Sequence, residues 1–463
     1  MTADTRPARS GSRRPWRRAL LCFLSLIFTL SGLFAVGPLP ASAIEEAPAS
    51  ADVGVVLLLN LENNLTLYEK EADTNVYPSS SVKIMTGLLA CRALSDRLDE
   101  VVTVSAAMVA GVTGRSMHLA DGEKLTVKDL LYAAICGGYN DAACVLACLS
   151  SGSVAAFVED MNAEAQRLGT LHTRYTTPTG LHDPAMCTTA RDIAIIAREA
   201  YANDLYMRIS SERTYTIPPT NVADERLFSN RNALISDSSR NYYNGRCKGM
   251  NAGMTDEGGW CVVTVCERNG ASNLCIILRG LDVASGELIP AYVQANRLLS
   301  WANRNYGYRT VLSAGETLDT LRVGMTGISK SKADVVPSED LKIYLPTDLD
   351  VEGQLVYDLV LDGEGLTAPL TAGDNVGTVT VSYHGSIVGK ASLSDTEDFK
   401  RNGFLNALGL FKGYLMGRSF WLAIPIFASM LLPYLYATGS SRGRYGLRTV
   451  QRRKRIRYIK RHF

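Results

Sequence analysis

The sequence predicts an α/β domain over residues 44–304, then a small all-β sandwich domain over residues 305–398, and a C-terminal transmembrane helix. Three observations support this order. Strand-like runs rich in Val and Leu lie at both ends of the first region, with helical periodicity between them. Short alternating runs separated by turn residues fill the second region. A charge-free stretch of about twenty residues follows, which is the length a bilayer core requires.

Hairpin and helix signals define the first region. Ala51–Leu59 and Leu65–Tyr68 read as strands on either side of Glu62-Asn63-Asn64, which is a hairpin signal. Ile84, Leu88 and Cys91 recur on one face of a helix. The remaining expected elements are helices over Val127–Leu149, Ala155–Leu168, Thr189–Asn203 and Pro290–Ala302, and strands over Asn251–Val265 and Leu274–Leu278.

The second region shows the two-residue alternation of half-buried strands and no helical stretch. The turn signals Leu361-Asp362-Gly363 and Ala372-Gly373-Asp374 separate its short runs. We expect a sandwich that holds the larger domain away from a membrane. Its clearest strand-like runs are Leu341–Leu345, Leu355–Leu361 and Gly377–Tyr383.

Residues 1–43 have the form of a signal peptide. Six Arg residues precede an apolar run from Ala19 to Val36, and Ala41-Ser42-Ala43 is a small-residue cleavage signal. The alternative is an uncleaved membrane anchor. The short apolar core, followed by Pro38 and Pro40, favours cleavage after Ala43.

The other end predicts a single membrane span over residues 419–438, preceded by a juxtamembrane segment over residues 399–418. The tail of residues 439–463 contains ten Lys or Arg and no acid. Positive residues stay on the cytoplasmic side, so we expect a cell-membrane protein with residues 44–418 outside the cell and a cytoplasmic C-terminus. Nucleic-acid binding is an alternative for this tail, but its position beside the span favours a membrane-surface role.

The net charge of +2 hides an acidic middle. The six Arg and one Asp of residues 1–43 and the ten basic residues of the tail leave residues 44–438 with a net charge of −13. This charge argues against nucleic acid or an anionic polymer as a partner.

Ten cysteines in an exported chain raise the question of disulfides. Cys22 lies in the leader, which leaves an odd number, and most of the others have apolar neighbours. We expect mainly free thiols that behave as small core residues. No C-x-x-C or Cys/His spacing indicates zinc, so the sequence predicts neither a metal nor a cofactor.

One short motif has the form of an activated nucleophile. Ser80-Ser81-Val82-Lys83 follows Pro78, which favours an extended entry, and opens an apolar helical run. Lys83 then lies one turn after Ser80 on the same face. Burial and the positive helix end favour the neutral amine of Lys83, which can take the Ser80 proton. The alternative is that Ser79 or Ser80 caps the helix and Lys83 is solvated. A second match, Ser329–Lys332, lies in the β region and is taken as chance.

The surrounding segments resemble the penicillin-binding D-alanyl-D-alanine carboxypeptidases, the S11 serine peptidases. The resemblance implies a serine β-lactamase/transpeptidase-like fold for the first domain, and it extends more loosely to the β region and the terminal anchor. The segments that carry it are Tyr77–Thr86, Ser116–Leu119, Asn140–Ala143, Thr177–Leu181, Thr188–Asp192 and Gly249–Gly259.

The resemblance also implies roles for particular residues. Ser80 would be the acyl-ester nucleophile, Lys83 its base, and Asn140 a hydrogen-bond partner of the substrate amide and of Lys83. Backbone N–H groups of Ser80 and Met254 would form the oxyanion hole. The implied partners are peptidoglycan stem peptides as substrates and β-lactams as covalent inhibitors.

This sequence departs from the family pattern at two places. Gly138 stands where the family has Ser, so water or the Tyr139 hydroxyl would have to deliver a proton to the leaving group. Losing a positioned proton donor costs about 10²–10⁴ in rate.

Asn251 and Ala252 replace the Lys and Thr of the third motif, while Gly253 is kept. A neutral contact from Asn251 in place of the charged Lys contact would weaken binding of the substrate carboxylate by roughly 1–2 kcal/mol. Thr255 could still offer a hydroxyl, and Arg246 is a further candidate if the strand bulges. Lys248 is expected on the opposite face of the strand.

Three functions remain open at this point. The first is a serine-type D-Ala-D-Ala carboxypeptidase acting through Ser80. The second is a weak or inactive peptidoglycan-binding or regulatory relative with the same fold. The third is a changed substrate, as in a β-lactamase, although no deacylating carboxylate is evident. The five histidines do not suggest a Ser-His-Asp arrangement; they are His118, His172, His182, His384 and His462.

Overall fold

Strands from both ends of the first region meet in one antiparallel sheet of five strands. The computed structural model describes residues 45–236, 240–284, 287–326, 331–362, 365–416 and 429. The strands of this sheet are β1 (Val53–Asn60), β2 (Thr66–Lys70), β7 (Cys247–Thr255), β8 (Gly259–Arg268) and β9 (Ala271–Gly280). Their order in the sheet is β2-β1-β9-β8-β7, so β9 pairs with β1 and β7 forms an edge.

Alternation along the central strands sends apolar side chains to both faces of this sheet. Val55 and Leu57 of β1 join the core on one face, and Val56 and Leu58 join the core on the other. The first face is covered by the helices that lie between β2 and β7 in sequence, and the second by a helix that follows β9. The covering helices of the first face are α1 (Val82–Leu94), α2 (Val127–Ile135), α3 (Asn140–Ser151), α4 (Val154–Leu168), α5 (Ala190–Tyr201) and α6 (Asp204–Ser210), and α7 (Pro290–Asn305) covers the second.

The single helix expected over Val127–Leu149 is wrong, because the structure contains two helices there. α2 ends at Ile135 and α3 begins at Asn140. Between them Gly138 takes a φ of +72°, a left-handed backbone conformation that interrupts a helix and suits glycine. The break places the start of α3 at the edge of the sheet, where the candidate site lies.

Two short strand pairs complete the first region. β3 (Val101–Thr103) pairs with β4 (Lys124–Thr126), and β5 (Thr214–Ile217) pairs with β6 (Arg226–Ser229). The predicted hairpin at Glu62-Asn63-Asn64 is confirmed, because β1 and β2 pair across it. The expected strand over Asn251–Val265 is instead the β7–β8 hairpin.

A β-domain follows α7, built from a pair of strands and a sheet of five. The sheet has the order β11-β12-β16-β15-β14, and the pair is β10 with β13. One short helix, α8 (Val351–Gln354), interrupts the strands, although the sequence shows no helical stretch there. The strands are β10 (Tyr306–Leu312), β11 (Asp319–Arg322), β12 (Lys332–Pro337), β13 (Leu341–Pro346), β14 (Leu355–Leu361), β15 (Asn375–Tyr383) and β16 (Ser386–Asp395).

The β-domain shares a hydrophobic core with the α7 face of the large sheet. Buried side chains of β1 and α7 belong to the same cluster as Ile343 and Leu345 of β13. Two hydrogen bonds cross this junction: Asn63 Nδ2 donates to the Tyr344 carbonyl at 2.8 Å, and Asn273 Nδ2 donates to the Tyr344 hydroxyl at 3.0 Å.

The last described helix, α9 (Gly403–Met416), exposes Phe404, Leu408 and Phe411. Across the described residues, no single helix has the length and hydropathy of a membrane span; α3 and α4 pass only as a pair bent by 81°. The expected signal peptide, span and basic tail lie outside the described residues, except for Ser429.

The cysteines of residues 45–416 are free thiols, and most of them are buried. Two, Cys148 and Cys187, are partly exposed. The buried ones are Cys91, Cys136, Cys144, Cys247, Cys261, Cys266 and Cys275.

Candidate active site

Ser80 lies in a tight turn between the hairpin and α1. The turn is a 3₁₀ segment over Ser79–Ser81, and α1 begins at Val82, so Ser80 precedes the α-helix and does not lie in its first turn as expected. Ser81 Oγ holds the turn by donating to the Pro78 carbonyl at 2.6 Å. Ser79 has a φ of +51°, a conformation that non-glycine residues rarely adopt and that is often found at functional sites.

The edge strand β7 runs directly against Ser80. A Cβ atom at Gly253 would lie 2.6 Å from the Ser80 Cβ and 2.7 Å from the Ser80 Oγ. Only glycine leaves the hydroxyl room here. Met254 and Thr255, the next residues of β7, line the same cleft as Ser80.

Lys83 is buried at the start of α1 and lines the cleft with Ser80. Its Nζ donates to the Thr179 carbonyl at 2.6 Å. Thr179 belongs to the loop Thr177–Leu181, which packs against the Ser80 turn. A Cβ atom at Gly180 would lie 2.0 Å from the Ser79 carbonyl oxygen, so glycine is required for this close approach.

Burial is the main cause of the low pKa of Lys83. It brings the pKa from 10.5 to about 8, because desolvation penalises the ammonium form. The guanidinium groups of Arg231 and Arg115 act in the same direction, while the thiols of Cys261 and Cys144 act in the opposite one. A sizeable fraction of Lys83 is therefore a neutral amine near pH 8, able to accept a proton from a neighbouring hydroxyl.

Asn140 opens α3 on the far side of the cleft. Its backbone N–H donates to the Arg115 carbonyl at 2.8 Å, and its Nδ2 donates to the Thr113 carbonyl at 2.8 Å. The hydrogen bond to Lys83 that the resemblance implies is not present among the described residues. Asn140 lines the cleft together with Ser80 and Lys83.

The segment before β4 is tied to α3 by a buried carboxylate. Asp141 accepts hydrogen bonds from the Ser116 hydroxyl at 2.7 Å and from the backbone N–H groups of Met117 and Leu119. This network explains why the Ser116–Leu119 segment and Asn140 occur together in one site.

Gly138 lines the cleft where the family pattern has a hydroxyl. A Cβ atom there would meet the Arg231 Cγ at 3.6 Å and the Arg115 Cδ at 4.0 Å, so space is available, but the φ of +72° strains any side chain. The Tyr139 ring packs against Phe228 with centroids 5.4 Å apart. Tyr139 is not among the residues that line the described cleft, so it does not replace the missing serine hydroxyl.

Asn251 does not reach the cleft as the sequence analysis expects. Its side chain is 4% exposed, and its Oδ1 has no hydrogen-bond partner among the described residues. Arg246 and Lys248 do not line the cleft either, and Lys248 Nζ lies 3.6 Å from a Glu267 carboxylate oxygen on β8. Asn251 and Gly253 are two positions apart in β7 and lie on the same face of the strand, but only Gly253 lines the cleft.

Two arginines that the sequence analysis does not identify line the cleft instead. Arg115 precedes the Ser116–Leu119 segment, and Arg231 follows β6. No spacing or charge pattern distinguishes them in the sequence, because each is brought to the site by a separate loop.

The cleft has a volume of about 100 Å³ and is basic. Three of the residues that line it carry positive charge and none carries a carboxylate. No cluster of His, Cys, Asp and Glu arranged to hold a metal occurs in the part of the chain that the structure describes. The lining residues are Ser80, Lys83, Gly114, Arg115, Gly138, Asn140, Thr179, Gly180, Leu181, Arg231, Gly253, Met254 and Thr255.

Comparison with known proteins identifies the family. A family model described as D-alanyl-D-alanine carboxypeptidase matches residues 42–280, more than half of the chain. The chain belongs to the D-alanyl-D-alanine carboxypeptidase family. A second model, the C-terminal domain of penicillin-binding protein 5, matches residues 306–401.

Individual members of the carboxypeptidase family are similar over most of their length. The D-alanyl-D-alanine carboxypeptidase DacF of Bacillus subtilis is 26% identical over 359 residues, covering 76% of this chain and 87% of the relative. DacC of Escherichia coli is 28% identical over 385 residues, covering 80% and 90%. The solved penicillin-binding protein 5 of Haemophilus influenzae matches with a TM-score of 0.58 at 26% identity, over 77% of this chain and all of that chain.

Proposed function

We propose that this protein is a serine-type D-Ala-D-Ala carboxypeptidase that removes the terminal D-alanine from peptidoglycan stem peptides. The observation that carries the proposal is that Ser80, Lys83 and the backbone of β7 meet in one cleft. Gly253 lies against the Ser80 hydroxyl, and Lys83 has a pKa of about 8. The family model and the similar relatives are D-alanyl-D-alanine carboxypeptidases, which supports this reaction.

Acylation follows from this arrangement. The neutral amine of Lys83 takes the proton of Ser80, and Oγ attacks the carbonyl carbon of the peptide bond between the two D-alanines. The tetrahedral oxyanion accepts hydrogen bonds from the backbone N–H groups of Ser80 and Met254. The C–N bond then breaks, the leaving D-alanine nitrogen takes a proton, and the rest of the peptide stays on Ser80 as an ester. Attack by water on that ester releases the shortened peptide and returns the proton to Oγ.

Proton delivery to the leaving nitrogen is where this chain differs from the family pattern. Gly138 has no hydroxyl, and the Tyr139 ring packs against Phe228 away from the cleft. We infer that the Lys83 ammonium gives the proton directly or through a single water. β-Lactams acylate Ser80 with cleavage of the ring C–N bond, and the ring nitrogen, which stays attached, takes a proton as the leaving D-alanine does. Relief of ring strain favours this cleavage, so we expect the change at Gly138 to slow β-lactam acylation less than D-alanine release.

A second candidate function is a binding or regulatory relative with little turnover. The buried Asn251 and the missing hydroxyl at Gly138 favour it. Such a protein would keep acylation by β-lactams and release little D-alanine.

The experiment that tests these proposals combines labelling with product release. The protein is treated with fluorescent penicillin and, separately, with a peptide ending in D-Ala-D-Ala. We expect both activities in wild type, and we expect Ser80→Ala to abolish labelling and to lower D-alanine release by about 10⁴-fold or more. Ser329→Ala, at the second Ser-x-x-Lys match, is the matched control and should keep both activities.

The outcomes separate the candidates. Equal labelling of wild type and Ser80→Ala would refute the covalent mechanism. Labelling of wild type without D-alanine release would support the second candidate function.

We also propose a membrane location, which the charge distribution supports. Residues 1–43 are a signal peptide, residues 399–418 a juxtamembrane segment and residues 419–438 a single span, with a cytoplasmic tail over residues 439–463. Protease added to intact cells should degrade the 44–398 region and spare an epitope fused after Phe463. Loss of the epitope with the membrane intact would contradict this orientation.

A further inference from the structure

The aliphatic parts of two arginine side chains flank Gly138 at one end of the cleft. Atoms of the Arg231 and Arg115 side chains lie 3.6 Å and 4.0 Å from the place where a Gly138 Cβ would be. The absence of a side chain at Gly138 thus leaves an open space between the two arginines. Both arginines line the cleft together with Ser80 and Lys83.

Each arginine is held by contacts that leave charge available to a ligand. Arg115 Nε donates to the Gly137 carbonyl at 2.6 Å, and its guanidinium lies 4.5 Å from the centre of the Tyr139 ring. The Arg231 guanidinium lies 5.2 Å from the centre of the Trp260 ring. An arginine held through one nitrogen and one face keeps its remaining N–H donors for a planar anion.

No carboxylate among the described residues pairs with either arginine, and none lines the cleft. Together with Lys83 they make a site with three basic groups and no acid. Such a concentration of positive charge favours a ligand that brings a negative charge, and a bidentate carboxylate matches the guanidinium geometry. The opposite wall cannot supply this charge, because Asn251 is neutral and buried, and Lys248 faces Glu267.

We propose that Arg115, together with Arg231, binds the free terminal carboxylate of the substrate and that Arg115 is a specificity-determining residue. The inference rests on the proposed function, in which the bond that breaks is one residue from the terminal carboxylate. The positive charge that binds the carboxylate then lies on the Gly138 side of the cleft and not on β7. The space that Gly138 leaves then has a use, since a serine there would narrow the gap between the two arginines.

A pair of peptides that differ only at the terminus tests the proposal. One is an N-acylated peptide ending in D-Ala-D-Ala with a free carboxylate, and the other is its C-terminal amide. Binding is measured by calorimetry to Ser80→Ala protein, which cannot be acylated, so the result does not depend on turnover. We expect the acid to bind about 10–100-fold more tightly than the amide.

Replacement of Arg115 should remove this preference. In Ser80→Ala/Arg115→Ala the ratio of acid to amide affinity should fall below about threefold, with the amide affinity nearly unchanged. Arg115→Lys should restore the preference only in part, because an ammonium cannot bind bidentately. Arg97→Ala removes a surface arginine that pairs with Glu100 and is the matched control, which should keep the full ratio.

Two results would overturn the inference. One is an unchanged acid-to-amide ratio in Ser80→Ala/Arg115→Ala. The other is an equal loss of affinity for both peptides, which would show that Arg115 only shapes the loop. In otherwise wild-type protein, Arg115→Ala should raise KM for the acid more than it lowers kcat. If wild type released no D-alanine but the acid-to-amide affinity ratio were as expected, the proposed function would be rejected. The proposed role of Arg115 in carboxylate binding would still hold.

Discussion

Lys83 is the residue on which the chemistry of the site depends most. It is buried at the start of α1, where the helix end and two arginines oppose its charge. The fold tolerates this because the Thr179 carbonyl accepts a hydrogen bond from Nζ. A lysine with a pKa of about 8 is destabilising below that pH and useful as a base above it.

The rate of acylation should therefore rise with pH. Only the neutral amine of Lys83 accepts the Ser80 proton, so kcat/KM for penicillin acylation should increase about tenfold per pH unit below about pH 7, reach half its maximum near pH 8 and level off above about pH 9. Stopped-flow labelling between pH 5.5 and 9.5 measures this profile. A profile that is flat, or that falls through this range, would contradict a basic role for Lys83.

The same pKa shift sets the sign of a stability effect. The folded-state pKa of Lys83 lies below that of the unfolded chain, so the unfolded state binds more protons between pH 8 and 10.5. Burial of Lys83 therefore lowers the free energy of unfolding most below pH 8, and this destabilisation decreases as the pH rises toward 10.5.

At the scale of elements, the site depends on one loop and one strand packed against the Ser80 turn. The loop Thr177–Leu181 supplies the carbonyl that accepts a hydrogen bond from Lys83. It lies so close to the Ser79 carbonyl that there is no room for a Cβ atom at Gly180. β7 approaches from the other side through Gly253. Small residues at both contacts let backbone, rather than side chains, form the walls around the hydroxyl.

Replacing Gly180 by alanine should damage both stability and acylation. The new Cβ would lie 2.0 Å from the Ser79 carbonyl oxygen, and the φ of +79° adds strain. We expect a loss of more than about 2 kcal/mol in the free energy of unfolding and at least a tenfold slower labelling by penicillin.

The matched control for that change is Gly152→Ala at the end of α3. Gly152 has a φ of +84° but no atom within 4 Å of its Cβ position. It should cost only about 1 kcal/mol and leave the labelling rate unchanged. Urea unfolding and labelling kinetics measure both effects, and equal losses in the two variants would argue against the steric explanation.

At the scale of the whole molecule, the β-domain is joined to the large domain by packing as well as by the chain. The α7 face of the sheet and the β-domain form one hydrophobic cluster, and Tyr344 accepts hydrogen bonds from Asn63 and Asn273 at the junction. Separation would expose buried apolar surface on both sides. The two domains therefore stabilise each other.

This coupling predicts cooperative unfolding. Calorimetry and loss of penicillin labelling should report the same midpoint temperature of thermal unfolding. Tyr344→Ala should lower that temperature equally in both assays, because it should reduce the free energy of unfolding by about 3 kcal/mol. Val356→Ala, at a side chain 66% exposed in the same domain, is the control and should change stability by less than about 0.5 kcal/mol. Separate midpoints for the two assays would contradict a shared core.

Local signals in the sequence were sufficient for much of the site. The spacing of Ser80 and Lys83, the Glu62-Asn63-Asn64 turn, and the apolar runs of β1 and β9 each depend on residues close together in the chain. Such patterns are read from periodicity and turn chemistry alone. The sequence does not predict the helix break at Gly138, because an apolar run that contains two glycines still fits a helical period. The backbone conformation of Gly138 depends on how the surrounding segments pack.

The sequence by itself determined the family, the candidate nucleophile and base, and the positions where the motif differs. The tertiary structure decided what replaces the altered residues. Asn251 is buried and does not line the cleft, while Arg115 and Arg231 arrive from loops more than a hundred residues apart. The physical reason is that charge in a cleft is a sum over segments brought together by folding, and no spacing along the chain records it.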